Sequence, residues 1–299
     1  MGITIVFVSL ASMGGVGLAL ALVLAVADKK LAVKEDPRVE KALETLPGAN
    51  CGACGFAGCA AYANALVEGK VSVTECKPGG AEVAYKLTEI LGLEEAETVA
   101  PKIARVLCSG GKKETVKDKI YTGIRTCISA HLVGAEKACI YSCIGFGDCC
   151  EVCRFDAIHM DDNGLPVVNP AKCTGCGECI RACPRNIIEL ADYEDVIHVY
   201  CRSHDKGPVT KKICNAGCIA CKLCERDDET GAVKIIDNLS VIDYEVSKAP
   251  VGAIKRCPTR VIRISEPVPG YEKLFEEKEN DLKKELEAQA IKGKKEQKK

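Results

Sequence analysis

The chain has 299 residues, 47% hydrophobic and 28% charged, with a formal net charge of −1, a balance that excludes the basic footprint of a nucleic-acid binder. Its 21 cysteines stand beside 0 Trp, 5 Phe and 4 His, which excludes one large aromatic core. The cysteines fall in tight runs, a spacing that suits wrapping a metal centre better than stapling distant loops.

In chain order, residues 3–27 form an apolar run without a charge, long enough for a single transmembrane helix. Lys29, Lys30 and Lys34 follow it and no Lys or Arg precedes it, so the C-terminal bulk is expected on the cytoplasmic side. Ala25-Val26-Ala27 mimics a signal-peptide cleavage site, but the basic leader is missing and the apolar run is too long. With residues 1–27 as the anchor, 28–100 read as a small, mainly α unit. Asp36-Pro37 opens a helix to Leu46, Pro47-Gly48 ends it, and 57–69 and 81–91 have helical spacing. Residues 101–135 read as a connector, 136–195 as a two-cluster ferredoxin-like domain, 196–265 as a degenerate one-cluster copy, and 266–299 as a charged tail whose helix is solvated. The fold class is therefore α+β.

The most specific signal is Cys173-x2-Cys176-x2-Cys179-x3-Cys183-Pro184. In this bacterial ferredoxin run, three thiolates cap one face of a cubane while the fourth reaches another. Structural zinc has no use for the third cysteine of such a run. A matching, stretched run is Cys139, Cys143, Cys149 and Cys153, with Cys150 able to compete with Cys149. Crossed pairing then puts Cys139, Cys143, Cys149 and Cys183 around one [4Fe–4S] cluster and Cys173, Cys176, Cys179 and Cys153 around the other. In the second copy Cys218, Cys221, Cys224 and Cys257 remain, while Asp228, Ser247, Pro250 and Ala253 stand where cysteines belong. The survivors form one complete ligand set and the losses another.

The first run is Cys51-x2-Cys54-x4-Cys59, with sixteen residues between Cys59 and Cys76. Alone it would also suit zinc; beside ferredoxin-like runs a [4Fe–4S] cluster is expected. The total is four clusters, leaving Cys108, Cys127, Cys150, Cys201 and Cys214. Cys108, Cys127, Cys201 and Cys214 match the number a fifth cubane needs, although small buried thiols are the simpler reading. The histidines (His131, His159, His198, His204) lie outside the runs and are read as packing or surface residues.

An apolar helix, the phrase from Leu46-Pro47-Gly48 to Gly58-Cys59, Cys76-Lys77-Pro78-Gly79-Gly80 and ferredoxin-like repeats together resemble the B subunit of the Rnf family. Those complexes are ion-translocating ferredoxin:NAD+ oxidoreductases (translocases) of prokaryotic membranes. The resemblance implies a single-pass subunit of the cytoplasmic membrane, engaged in electron and ion transport. It would take electrons from soluble ferredoxin and relay them to membrane and flavin-bearing partner subunits, with no complete active site of its own. The lost cluster of the last repeat departs from the longer family pattern. Two other readings are a subunit of a related complex that reduces a redox-sensing regulator, and a membrane-tethered iron–sulfur sensor. The residues agree with a carrier: no dinucleotide fingerprint, Walker loop or nucleophile triad stands in the chain.

Overall fold

The computed structural model describes residues 2–31, 36–93, 102–268 and 270–296. Helix α1 spans Gly2–Leu31; its described side chains are Phe7 and residues 13–27. Among the described residues no helix is long and apolar enough to cross a membrane. The side chains of Lys29, Lys30 and Lys34, on which the expected orientation rests, lie outside the described residues.

An α-helical unit follows. Asp36 caps α2 (Pro37–Thr45) by accepting from the Arg38 N–H at 2.9 Å, with Pro37 at the first helical position. Pro needs no hydrogen-bond partner there. Helices α3 (Cys59–Val67) and α4 (Gly80–Leu91) pack with it around Ala42, Tyr62, Leu66 and Leu87, all essentially inaccessible. The Tyr62 hydroxyl donates to the Ser72 carbonyl at 2.8 Å, so the ring is buried without orphaning its polar end.

The remainder mixes short strands and helices around a second core and contains two similar repeats. In the first, β1 (Lys102–Val106) pairs antiparallel with β4 (Ile188–Asp192), Ile103 opposite Ala191, while β2 (Ile158–Met160) and β3 (Pro166–Val168) form a hairpin. In the second, β5 (Ile197–Val199) pairs with β8 (Ile262–Ile264), and β6 (Val233–Ile236) and β7 (Leu239–Ile242) form the hairpin. The two residues between β6 and β7, Asp237 and Asn238, both have positive φ, 47° and 64°. Two consecutive positive φ values give a tight hairpin turn whose twist matches that of the strands, and Asp and Asn tolerate it. The helices α5 (Cys127–Val133), α6 (Asp148–Glu151), α7 (Glu178–Ala182), α8 (Gly207–Ile213) and α9 (Leu223–Asp227) are short because each is set beside a cysteine run.

Two segments differ in use from the sequence reading. The stretch read as a connector supplies β1, whose ladder to β4 closes the first repeat from outside. The tail helix α10 (Glu272–Glu296) is docked at its start, where Phe275 is only 1% exposed within the second core. Period-based reading misses such an anchor, since one aromatic among charges carries little amphipathic signal.

Candidate metal centres

All 21 cysteines are free. The first constellation is local: Cys51, Cys54, Cys59 and Cys76 line one cavity of about 330 Å3 at the start of α3. Asn50, held at φ 46°, accepts from the Cys59 N–H at 2.8 Å and so ties the loop over the helix. Burial pushes the Cys76 thiol up.

In the second repeat Cys218, Cys221, Cys224 and Cys257 line a cavity of about 290 Å3. The positions opposite it are closed. Asp228 is buried, and its carboxylate accepts from the Thr230 N–H and hydroxyl at 3.1 and 2.7 Å and from the Val233 N–H at 2.8 Å. Ala253 is fully buried, and a Cβ on Gly252 would come within 2.2 Å of the Asp227 carbonyl oxygen. Backbone and carboxylate fill the space that a second ligand set would enclose.

In the first repeat the run Cys173, Cys176, Cys179 faces Cys153. Burial, then the neighbouring thiols Cys173, Cys176 and Cys153, push the Cys179 thiol up to about 12. The N–H groups of Ala104 and Ala157 donate to the sulfurs of Cys173 and Cys153 at 3.5 and 3.3 Å. The companion site differs from the expected set. Its cavity, about 360 Å3, is lined by Cys127, Cys143, Cys149 and Cys183; Cys139 is elsewhere. Cys127 begins α5, where Asp148 accepts from its N–H at 2.7 Å and from that of Ile128 at 3.3 Å. This carboxylate at a helix N-terminus holds Cys127 over the cavity.

Cys139 instead lines a cavity of about 300 Å3 with Cys108, Cys201 and Cys214, between the repeats. A signal for the exchange was present in the spacing. Cys143-x5-Cys149-x3-Cys153 matches Cys218-x5-Cys224-x3-Asp228, with Phe146 in place of Cys221. The first repeat thus lacks its middle cysteine, and Cys127, from the preceding segment, lines the cavity in its place. Cys150 is half-buried beside Cys149 and lines none of these cavities. A hydrogen bond shared between the two thiols pushes Cys149 up and Cys150 down.

Four thiols lining one cavity, with backbone N–H groups aimed at sulfur as at Cys173 and Cys153, fit iron–sulfur cubanes, whose irons spread the ligands and whose sulfurs accept such bonds.

The family model for an Fe–S cluster motif matches residues 46–78, and that for a 4Fe-4S binding domain matches residues 166–189. The chain is 39% identical over 257 residues to the B subunit of the ion-translocating oxidoreductase complex of Methanosarcina acetivorans, covering 86% of this chain and 97% of that one. It is 37% identical over 258 residues to the B subunit of the Na(+)-translocating ferredoxin:NAD(+) oxidoreductase complex of Acetobacterium woodii, covering 86% and 77%. Identity to the B subunit of the proton-translocating ferredoxin:NAD(+) oxidoreductase complex of Clostridium ljungdahlii is 38% over 252 residues, covering 83% and 88%.

Proposed function

The chain belongs to the family of B subunits of Rnf-type ion-translocating oxidoreductase complexes, and from that membership we propose that it takes electrons from soluble reduced ferredoxin and hands them to flavin-bearing partner subunits, toward NAD+. Four quartets are its cluster sites: Cys51, Cys54, Cys59 and Cys76; Cys127, Cys143, Cys149 and Cys183; Cys153, Cys173, Cys176 and Cys179; and Cys218, Cys221, Cys224 and Cys257. Bound [4Fe–4S] clusters supply one-electron transfer at potentials set by burial, charge and hydrogen bonds to sulfur.

The chain's own residues hold the ligands, shield them from water and aim donors at them. The N–H groups of Ala104 and Ala157, directed at Cys173 and Cys153, offset negative charge on those sulfurs and favour the reduced state. Helix α1 is the proposed membrane anchor, with the cysteine-bearing units on the cytoplasmic side. Since α2 begins six residues after α1 ends, the N-terminal site lies nearest along the chain to membrane partners. The observation that carries the reading is that the N-terminal site adjoins the first repeat. Arg154, next to Cys153, donates from Nη1 to the carbonyls of Ala49 and Asn50, directly before Cys51, at 3.1 and 3.0 Å.

The test uses the full-length protein in detergent under anaerobic conditions. Reduced ferredoxin should bleach its visible iron–sulfur absorbance with no flavin present, and NADH alone should not. Fast direct reduction by NADH would overturn the assigned role. Accessibility of the cysteine-bearing units to protease from outside the cell would overturn the topology.

A further inference from the structure

The thiols between the repeats are related by the repeats themselves. Cys108 stands two residues beyond the end of β1, and Cys201 two residues beyond the end of β5. Cys139 precedes Cys143 by four residues, and Cys214 precedes Cys218 by four. Each repeat therefore contributes two cysteines from equivalent positions, and the four meet around one cavity.

The hydrogen bonds repeat as well. The Gly110 N–H donates to Cys108 sulfur at 3.3 Å, and the Ser203 N–H to Cys201 sulfur at 3.4 Å. The Cys143 N–H donates to Cys108 sulfur at 3.4 Å, and the Cys218 N–H to Cys201 sulfur at 3.3 Å. Sulfur is a weak acceptor as a thiol or thioether; two N–H donors on each of two equivalent sulfurs suit an anionic thiolate. A Cβ on Gly110 would lie 2.6 Å from Thr115 Oγ1, 3.3 Å from Cys214 sulfur and 3.6 Å from Cys108 sulfur, so glycine is what lets the chain pass here.

One cation stands beside the cavity: Lys137 is 6% exposed, and its Nζ donates at 2.7 Å to the carbonyl of Gly110, which lines the cavity. Arg185 lines the adjoining Cys127–Cys183 cavity, where its buried Nε and Nη1 atoms have no hydrogen-bond partner among the described residues. Cysteines packed as small hydrophobes give a buried ammonium no counter-charge; an anionic thiolate-bound cluster supplies one.

We infer that Cys108, Cys139, Cys201 and Cys214 hold a fifth [4Fe–4S] cluster, shared between the two repeats. This site touches its neighbours on both sides, through the Cys143 N–H to the quartet of the first repeat and through the Cys218 N–H to that of the second. It thereby connects the Cys218–Cys257 site to the first repeat. The inference rests on reading the quartets as cluster sites and is independent of which donor reduces them.

The full-length protein is reconstituted anaerobically with iron and sulfide, and iron and acid-labile sulfide are counted per chain. Wild type should carry about 20 irons, by four per cubane. Cys108→Ala, Cys214→Ala and the double variant should each lose about four, because one site is lost once. Cys150→Ala should lose none. Electron paramagnetic resonance of the dithionite-reduced variants should show the Cys218–Cys257 signal retained. A wild-type count near 16 with no loss in the folded single variants would overturn the fifth site and leave the other four standing. A double variant losing about eight would overturn the shared site. Folding is checked by circular dichroism, and Cys201→Ser serves as the milder replacement, expected to shift or remove one signal and leave the rest; an unchanged spectrum counts against the site.

Discussion

Replacing Arg154 by alanine should loosen the N-terminal unit from the first repeat. The Arg154 Nη1 donates to the carbonyls of Ala49 and Asn50 at 3.1 and 3.0 Å, directly before Cys51. It stands where the sister run has Pro184, so a position that ordinarily carries proline has become a tether. A hydrogen bond to a charged group contributes about 1.5–3 kcal/mol when water is excluded. Both bonds here are exposed, and a discount for solvent leaves about 1–2 kcal/mol for the pair together. That free energy changes the ratio of docked to undocked units roughly 5- to 30-fold. Pulsed electron paramagnetic resonance of the reduced full-length protein reads the magnetic interaction between the Cys51–Cys76 site and the Cys153–Cys179 site. The interaction should weaken in Arg154→Ala and be partly kept in Arg154→Lys, which retains a charged donor without the fork. A wild-type interaction in Arg154→Ala at unchanged iron content would refute the tether.

Asp228→Ala leaves the buried Val233 N–H without its acceptor, and the midpoint of chemical unfolding should fall by the equivalent of about 1–3 kcal/mol. Asp228→Cys should add no iron, since Ser247, Pro250 and Ala253 cannot complete a ligand set; a gain of about four irons would contradict the packing described. Gly110→Ala should lower the iron count by about four, because its Cβ would intrude between Thr115 and Cys214; full iron content in this variant would count against the close approach. His198 packs between Tyr200 and Tyr244, and burial holds its pKa down at about 3. Its native pKa lies below the unfolded value of about 6.5, so the unfolded chain binds the extra proton between those limits. Stability is then complete above about pH 6.5 and falls by about 1.4 kcal/mol per unit as the pH drops toward 3. His198→Gln should flatten that slope in pH-dependent unfolding, and an unchanged slope would show that the imidazole does not titrate this way.

Local features were legible from the residues alone. The Asp36-Pro37 helix start, the short N-terminal helices and the tight cysteine runs depend on neighbours within one or two turns of chain, and spacing carries that information directly. The closed half of the second repeat was also foreshadowed, since Asp228, Ser247, Pro250 and Ala253 offer no thiol whatever the fold. Which cysteines share a cavity was another matter. Cys139 stands four residues from Cys143, yet it faces Cys108, Cys201 and Cys214, while Cys127 crosses sixteen residues to join Cys143. A cubane site is assembled in space, and its membership depends on how the segments after β1 and β5 meet, as where the Ser109 N–H donates to the Tyr200 carbonyl at 3.1 Å. The ladders from β1 to β4 and from β5 to β8 pair residues more than sixty positions apart. Such contacts leave no period in the sequence, because what sets them is the burial of Ile103, Ile188, Ile197 and Ile262 in one common core. Spacing decided which residues were ligand-like, and tertiary packing decided which of them meet.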